Sequence, residues 1–308
     1  MPTVSIKPAG LLDIESLDRA EIESILERAR FFQPRPDENY RRLDALRGKT
    51  IVNLFFEAST RTRVSFEIAA KRLGADTLSI AAQGSSVSKG ESLVDTLNTL
   101  VAMRPNAIVM RHAASGAPQF LARHLKIPIV NAGDGTHEHP TQALLDARTI
   151  LDHRPSLTGL RVAIIGDIAH SRVARSNVHL LSKFGASVVL CGPASLLPRD
   201  LVGLAPGVSL AHRMEDALRD ADVIMMLRVQ LERQNEAPMA AGEYFRYYGL
   251  RLEHLKSARP DAIVMHPGPI NRGRELSSEV ADSQRSVILN QVENGVAVRM
   301  AVLERILG

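Results

Sequence analysis

The stretch IVNLFFEASTRTRVSFE, residues 51–67, changes its period half-way along. Ile51 to Phe56 is an almost unbroken apolar run, the pattern of a strand buried on both faces. From Thr60 to Leu73 the chain reads as a helix. Ser59, Thr60, Arg61, Thr62 and Arg63 fill the junction. A helix start presents unpaired backbone N–H groups and the positive end of the helix dipole, to which hydroxyls and guanidinium forks add charge-assisted bonds. Two readings fit: a capping serine followed by solvated arginines, or an anion cradle. Two arginines and three hydroxyls packed into five residues directly after a strand favour the cradle.

The same alternation extends in both directions. Before it lies an amphipathic segment from Ser16 to Phe32. After it come strand candidates Ala107 to Arg111 and Ile127 to Asn131, with helical patterns at Glu91 to Val101, Ala117 to His124 and Pro140 to His153. Pro155 and Gly159 in HRPSLTGL, residues 153–160, break the chain. A second series follows, with strands expected at Leu160 to Gly166, Ser187 to Cys191, Val223 to Leu227 and Ala262 to His266, and helices at Ser171 to Phe184 and Met214 to Asp220. Repeated βαβ units predict an α/β protein of two domains, each a mostly parallel sheet flanked by helices. The first domain is expected over 1–150 and the second over 151–289. The stripe Val292, Val296, Met300, Leu303 predicts a final helix, 290–308, that packs back on the first domain.

Composition narrows the function. The 308 residues are 45% hydrophobic and contain no run long enough to span a membrane and no signal-type amino terminus, so a membrane role is not expected. The lone cysteine, Cys191, precludes an internal disulfide and suits a reducing, cytoplasmic setting. Seven lysines leave 31 arginines among the 38 basic residues. Arginine suits bidentate capture of phosphate and carboxylate. A nucleic-acid module would pair that charge with stacking aromatics, but aromatics are only 4%. Small anionic ligands are the better expectation.

In open parallel sheets, ligands lie beyond the carboxyl ends of the strands. Arg111 and His112 end one strand. GDGTHEHPTQALLD follows the next, with Pro140 at a helix start and His139 and Gln142 beside it. His137, Glu138 and His139 invite a metal reading, but the set lacks a third ligand at a recognised spacing, so no metal or other cofactor is expected. QGSSVSKGES, residues 83–92, carries Lys89 before Gly90, the reverse of the P-loop order, so it reads as a basic lid or a solvated turn. In the second half, IIGDIAHSRVARS lacks the dinucleotide fingerprint and supplies Arg172 and Arg175. MMLRVQLERQ supplies Arg228, Gln230 and Arg233, and VMHPGPINRG supplies His266 and a Pro-Gly-Pro turn.

FFEASTRTRVSFE, SSVSKGES, MRH, HPTQALLD, GDIAHSRVARS, RVQLER and HPGPINRG, in this order and spanning nearly the whole chain, resemble the transcarbamoylase superfamily. More specifically, they are similar to aspartate carbamoyltransferase catalytic chains. The resemblance implies transfer of a carbamoyl group from carbamoyl phosphate to the amine of L-aspartate, in de novo pyrimidine biosynthesis. It implies that Ser59, Thr60, Arg61 and Thr62 hold the phosphate, that Arg111 and His139 reach the phosphate or carbonyl, and that Gln142 with the carbonyls of Pro267 and Gly268 binds the carbamoyl amine. Arg61, Thr62, Arg111 and His139 would be the catalytic set.

Arg172, Arg228 and Gln230, with Lys89, would bind aspartate. Ser85 and Lys89 would come from a neighbouring subunit of a homotrimer with shared sites. Glu57 would pair with Arg172 and Arg233 in domain closure. Val173 stands where some members have threonine. A dihydroorotase-like or regulatory chain as further partner is left open. Transfer to ornithine, or a noncatalytic anion-binding subunit, are the rival readings.

Overall fold

Each apolar run of the sequence becomes a strand, and the strands form two parallel sheets. In the computed structural model, which describes residues 10–34, 43–81, 92–229 and 241–308, β1 (Thr50–Phe55), β2 (Asp76–Ala81), β3 (Ala107–His112) and β4 (Ile129–Asp134) pair in the order β2-β1-β3-β4. A second sheet of β5 (Arg161–Ile165), β6 (Ser187–Cys191), β7 (Val208–Ala211), β8 (Val223–Met226) and β9 (Ile263–Met265) runs β7-β6-β5-β8-β9. All seven pairings are parallel. The chain divides into two compact units, Met1–Leu144 with Asn294–Gly308, and Leu145–Glu293.

Parallel pairing demands crossovers, and helices supply them. The first unit holds α1 (Arg19–Phe32), α2 (Thr60–Arg72), α3 (Leu93–Ala102) and α4 (Ala117–His124). The chain changes unit within α5 (Pro140–His153), and the second unit then holds α6 (Arg172–Lys183), α7 (Met214–Leu218), α8 (Ala241–Tyr248) and α9 (Ser278–Ala281). It changes back within α10 (Ile288–Leu307). Val52, Leu54, Ile108 and Met110 from the first sheet bury against Leu97 of α3 and Leu121 of α4. Such side chains each contribute about 1.5–3 kcal/mol when fully withdrawn from water. On α10, Arg299 lies over the Phe66 ring, 5.0 Å from its centroid, and donates to Ser65 Oγ at 2.8 Å, so it grips α2 directly. Ala163, Ile165, Val189 and Cys191 pack with Ala217 and Leu218 of α7 in the second core. Among the described residues, no helix is long and apolar enough to cross a membrane.

Each sheet has one point where the direction of strand addition reverses, at β1/β3 in the first and β5/β8 in the second. Ligand crevices of doubly wound sheets open there, beyond the carboxyl ends. At the first, Phe56 N–H donates to Arg111 C=O at 2.9 Å. At the second, Leu227 N–H donates to Ile165 C=O at 2.8 Å. Gly166 follows with φ +144°, and a Cβ there would lie 2.8 Å from Leu227 Cβ. Only glycine permits that approach.

Candidate active site

Beyond β1 the chain reaches Glu57, whose carboxylate lies 3.3 Å from Arg111 Nε at the end of the neighbouring β3. Both side chains are about 15% exposed, 14% for Arg111 and 15% for Glu57, so the pair is largely withdrawn from water. Arg111 also donates to Ala132 C=O at 3.4 Å. Ser59 is the N-cap of α2, with φ −158° and ψ 82°, and its hydroxyl makes no capping bond. Thr60, Arg61, Thr62 and Arg63 form the first turn, which contains no acidic residue. Arginines at a helix N-terminus oppose the dipole, and each costs about 0.3–1 kcal/mol. A turn that leaves its serine unused and gathers cations is built for an anion. Thr62 is buried at 8% exposure; Arg61 is exposed.

At the end of β4, α5 begins with Pro140, and His139 C=O accepts from Gln142 N–H at 2.9 Å and Ala143 N–H at 3.3 Å. The carbonyl of His139 thus opens the helix, and its ring and Gln142 are both buried, at 4% and 8% exposure. The neighbouring residues of that motif hold the chain instead. Glu138, 1% exposed, accepts Ile14 N–H at 3.0 and 3.1 Å and Glu15 N–H at 3.2 Å. His137 Nδ1 lies 3.1 Å from Asp134, whose carboxylate also takes Gly116 N–H at 2.6 Å and the Asn131 amide at 2.8 Å. The hydrogen bond to Asp134 raises the His137 pKa above its ordinary value. Burial alone would raise that of Asp134, yet the bonds from His137, Asn131 and Gly116 hold it below the usual carboxylate value. Among the described residues, no group of three or more His, Cys, Asp or Glu could hold a metal ion.

In the second unit, Asp167 follows Gly166 and pairs with His170 Nδ1 at 2.8 Å. Ser171 caps α6, its hydroxyl accepting Ala174 N–H at 3.1 Å. Arg172 opens the helix at 8% exposure, and Val173 follows it. Beyond β8, Arg228 is half-buried, and the next residue, Val229, donates its N–H to Glu275 at 3.3 Å. Glu275 is fully buried and also takes the N–H of Asn271 at 2.8 Å and its amide at 2.9 Å. It therefore ties the loop after β8 to the turn after β9. Sequence reasoning missed Glu275, because a carboxylate that holds backbone N–H groups has no partner residue type to betray it. Beyond β9 come buried His266 and the half-buried Pro267 and Gly268. Ser85, Lys89, Gln230 and Arg233 lie outside the described residues.

Each sheet thus delivers cations at its switch point, and the first adds the uncapped start of α2, a layout suited to holding small anions while a bond is exchanged. Cys191 has no part in such chemistry: it is fully buried, and burial pushes its thiol up to about 12.

Known proteins share this layout. Residues 10–152 match the family described as aspartate/ornithine carbamoyltransferase, carbamoyl-P binding domain, and residues 158–306 match the Asp/Orn binding domain of the same enzymes. The chain is similar to an aspartate carbamoyltransferase catalytic subunit of Solibacter usitatus, 78% identical over 98% of this chain and 100% of that one. Its fold is similar to aspartate transcarbamoylase from Trypanosoma cruzi in complex with N-(phosphonacetyl)-L-aspartic acid, with TM-score 0.90 and 33% identity over 100% of this chain and 98% of that one. It is also similar to ornithine carbamoyltransferase from Pyrococcus furiosus, with TM-score 0.87 and 31% identity over 99% of both chains. The fold is thus common to both acceptor specificities, and it is the identity to the bacterial catalytic subunit that separates them. This chain belongs to the aspartate/ornithine carbamoyltransferase family, and within it to the aspartate carbamoyltransferase catalytic subunits.

Proposed function

We propose that the chain transfers the carbamoyl group of carbamoyl phosphate to the amine of L-aspartate, giving N-carbamoyl-L-aspartate and phosphate, in de novo pyrimidine biosynthesis. The observation that carries the reading is the uncapped, cation-rich start of α2 at one switch point together with Arg172 and Arg228 beyond the strands of the other sheet. A phosphate on one side and a dicarboxylic acid on the other are the ligands such charges select.

In this reading residues 1–150, with the helix 290–308, serve carbamoyl phosphate, and 151–289 serve aspartate. Ser59, Thr60, Arg61 and Thr62 hold the phosphate. Arg111 and His139 meet the carbonyl oxygen, and Gln142 with the carbonyls of Pro267 and Gly268 receives the carbamoyl amine. Arg172, Arg228, Gln230 and Lys89 take the aspartate carboxylates. The aspartate amine attacks the carbamoyl carbon, the C–N bond forms, and the tetrahedral oxyanion collapses as the C–O bond to phosphate breaks. The charge on that oxyanion is met by Thr62, Arg111 and His139, so positioning and preorganised electrostatics supply the rate. The departing phosphate accepts the proton released by the amine. Closure, involving Glu57 and Arg233, excludes water from the labile donor.

The assembly in this reading is a homotrimer whose sites borrow Ser85 and Lys89 from the neighbouring chain, within the cytoplasm, where Cys191 stays reduced. Sizing the native complex will reveal any dihydroorotase-like or regulatory chain bound to it. The reading is tested by assaying carbamoyl phosphate with aspartate against ornithine; preference for ornithine would sink it. Mixing inactive Lys89→Ala chains with inactive Arg61→Ala chains tests the shared site. Activity returns if the loop serves its neighbour, and none returns, despite subunit exchange, if it serves its own chain.

A further inference from the structure

We propose that His266 is a positioning residue that aims the Pro267 carbonyl, a role that rests on the reading in which that carbonyl receives the carbamoyl amine. His266 directly follows β9 and is 1% exposed. Its Nδ1 accepts the N–H of Gly268 at 2.8 Å. An acceptor nitrogen carries no proton, so the ring is held as the tautomer with its proton on Nε2. The Gly268 N–H and the Pro267 C=O belong to one planar peptide, and the cis bond of this turn is the next one, Gly268–Pro269. In a trans peptide the C=O and N–H bonds point in opposite directions. Fixing the N–H against His266 therefore fixes the carbonyl facing away from it.

The anchor is itself held by a chain of buried groups whose direction is forced. Asp146 is fully buried and, as a carboxylate, can only accept. It takes the Gln291 amide N–H at 2.8 Å and the Asn177 amide N–H at 2.8 Å. Gln291 must then present its oxygen the other way, and that oxygen accepts His266 N–H at 2.9 Å. Asn177 belongs to α6, the helix that Arg172 opens, and also donates to Val173 C=O at 3.0 Å. One carboxylate thus registers the helix carrying Arg172 and the turn carrying Pro267. At the far side of the turn, Glu275 pins Asn271. Gly268 sits at φ +69°, the left-handed region that glycine adopts without strain.

His266→Asn and His266→Gln separate the roles of the two ring nitrogens in the full-length protein. Asparagine places its amide oxygen near the position of Nδ1, whereas glutamine reaches toward that of Nε2. With ¹⁵N-glycine labelling, the Gly268 amide is expected to be protected from exchange in the wild type and the Asn variant and unprotected in the Gln variant. The Gln variant should lose about 10²-fold in kcat/KM for carbamoyl phosphate, the order that a misplacement near the reacting centre brings. The Asn variant should recover most of that loss. Inhibition by inorganic phosphate, which α2 would hold, should be the same in all three. A Gly268 amide that exchanges freely in the wild type overturns the proposal without any variant, and equal losses in Asn and Gln variants, with phosphate inhibition weakened in both, overturn it as general damage. If the wild type forms no carbamoyl aspartate, the reading of function fails, and the exchange measurement alone decides whether His266 holds Gly268.

Discussion

The helices α2 and α6 begin on the same plan, a serine N-cap with arginine and no acidic residue in the first turn, yet their caps differ. In α6 the Ser171 hydroxyl accepts Ala174 N–H, so the helix is closed by its own chain. In α2 the Ser59 hydroxyl makes no such bond. A self-capped helix start can offer its arginine but not its full set of N–H groups; an uncapped one offers both. Phosphate, with three terminal oxygens, suits the second arrangement, and carboxylate, with two, is met by the guanidinium of the first.

The largest effect expected from this contrast is at Arg61. Arg61→Met should lower carbamoyl aspartate formation by about 10²–10³, as loss of one charge-stabilising donor does. Thermal stability should hold or rise, because a cation leaves the positive end of a helix. An active but unstable variant would break the comparison. Next is Glu275→Gln, which turns an amide donor toward the N–H groups of Val229 or Asn271. The aspartate KM should rise about tenfold, the order set by one disrupted charged hydrogen bond, with the carbamoyl phosphate KM unchanged. Equal rises in both constants would mean that Glu275 supports the whole fold.

The paired substitutions Ser59→Ala and Ser171→Ala sharpen the contrast directly. Loss of the Ser171 cap should cost about 1 kcal/mol in urea unfolding, while loss of Ser59 should leave stability unchanged and weaken phosphate binding. Equal destabilisation by both would show that Ser59 is an ordinary cap.

The smallest effect is in pH. His137, raised above its ordinary 6.5 by Asp134, stabilises the fold fully below that value and loses the contribution as pH rises through the folded pKa. Asp134, held below its ordinary 3.8, contributes above that value and loses it as pH falls through its folded pKa. The pair is therefore strongest between these limits. His137→Asn should lower stability between these limits and remove the decline that the wild type shows as pH rises above 6.5, measured by urea midpoints, and an unaltered profile would show that the pair adds nothing.

Much of this architecture was legible beforehand, and the exceptions share a cause. The core strands β1, β3, β5, β6 and β8 read as apolar runs because both faces of a central parallel strand are covered. β2 and β7 were not anticipated. Both are edge strands that meet solvent, whereas the edge strands β4 and β9, which were anticipated, are buried throughout; Leu78 of β2 is 57% exposed, and β7 alternates buried and exposed positions over only four residues. Half-solvated edges carry no continuous apolar signal. The strand-end arginines and histidines were equally visible, since a polar residue following an apolar run marks the carboxyl end of a strand.

The sequence by itself determined the period changes, hence the parallel sheets, and the residue types at their ends, hence the charge of the ligands. What each polar residue does there was decided only by the tertiary structure. His137 and Glu138 stand beside His139 in the chain, yet Glu138 holds the backbone of Ile14, 124 residues away. Glu275 reaches the backbone of Val229 across 46 residues, and Gln291 reaches that of His266 across 25. A backbone N–H is the same group at every non-proline residue, so a side chain committed to one leaves no mark on the sequence of its partner.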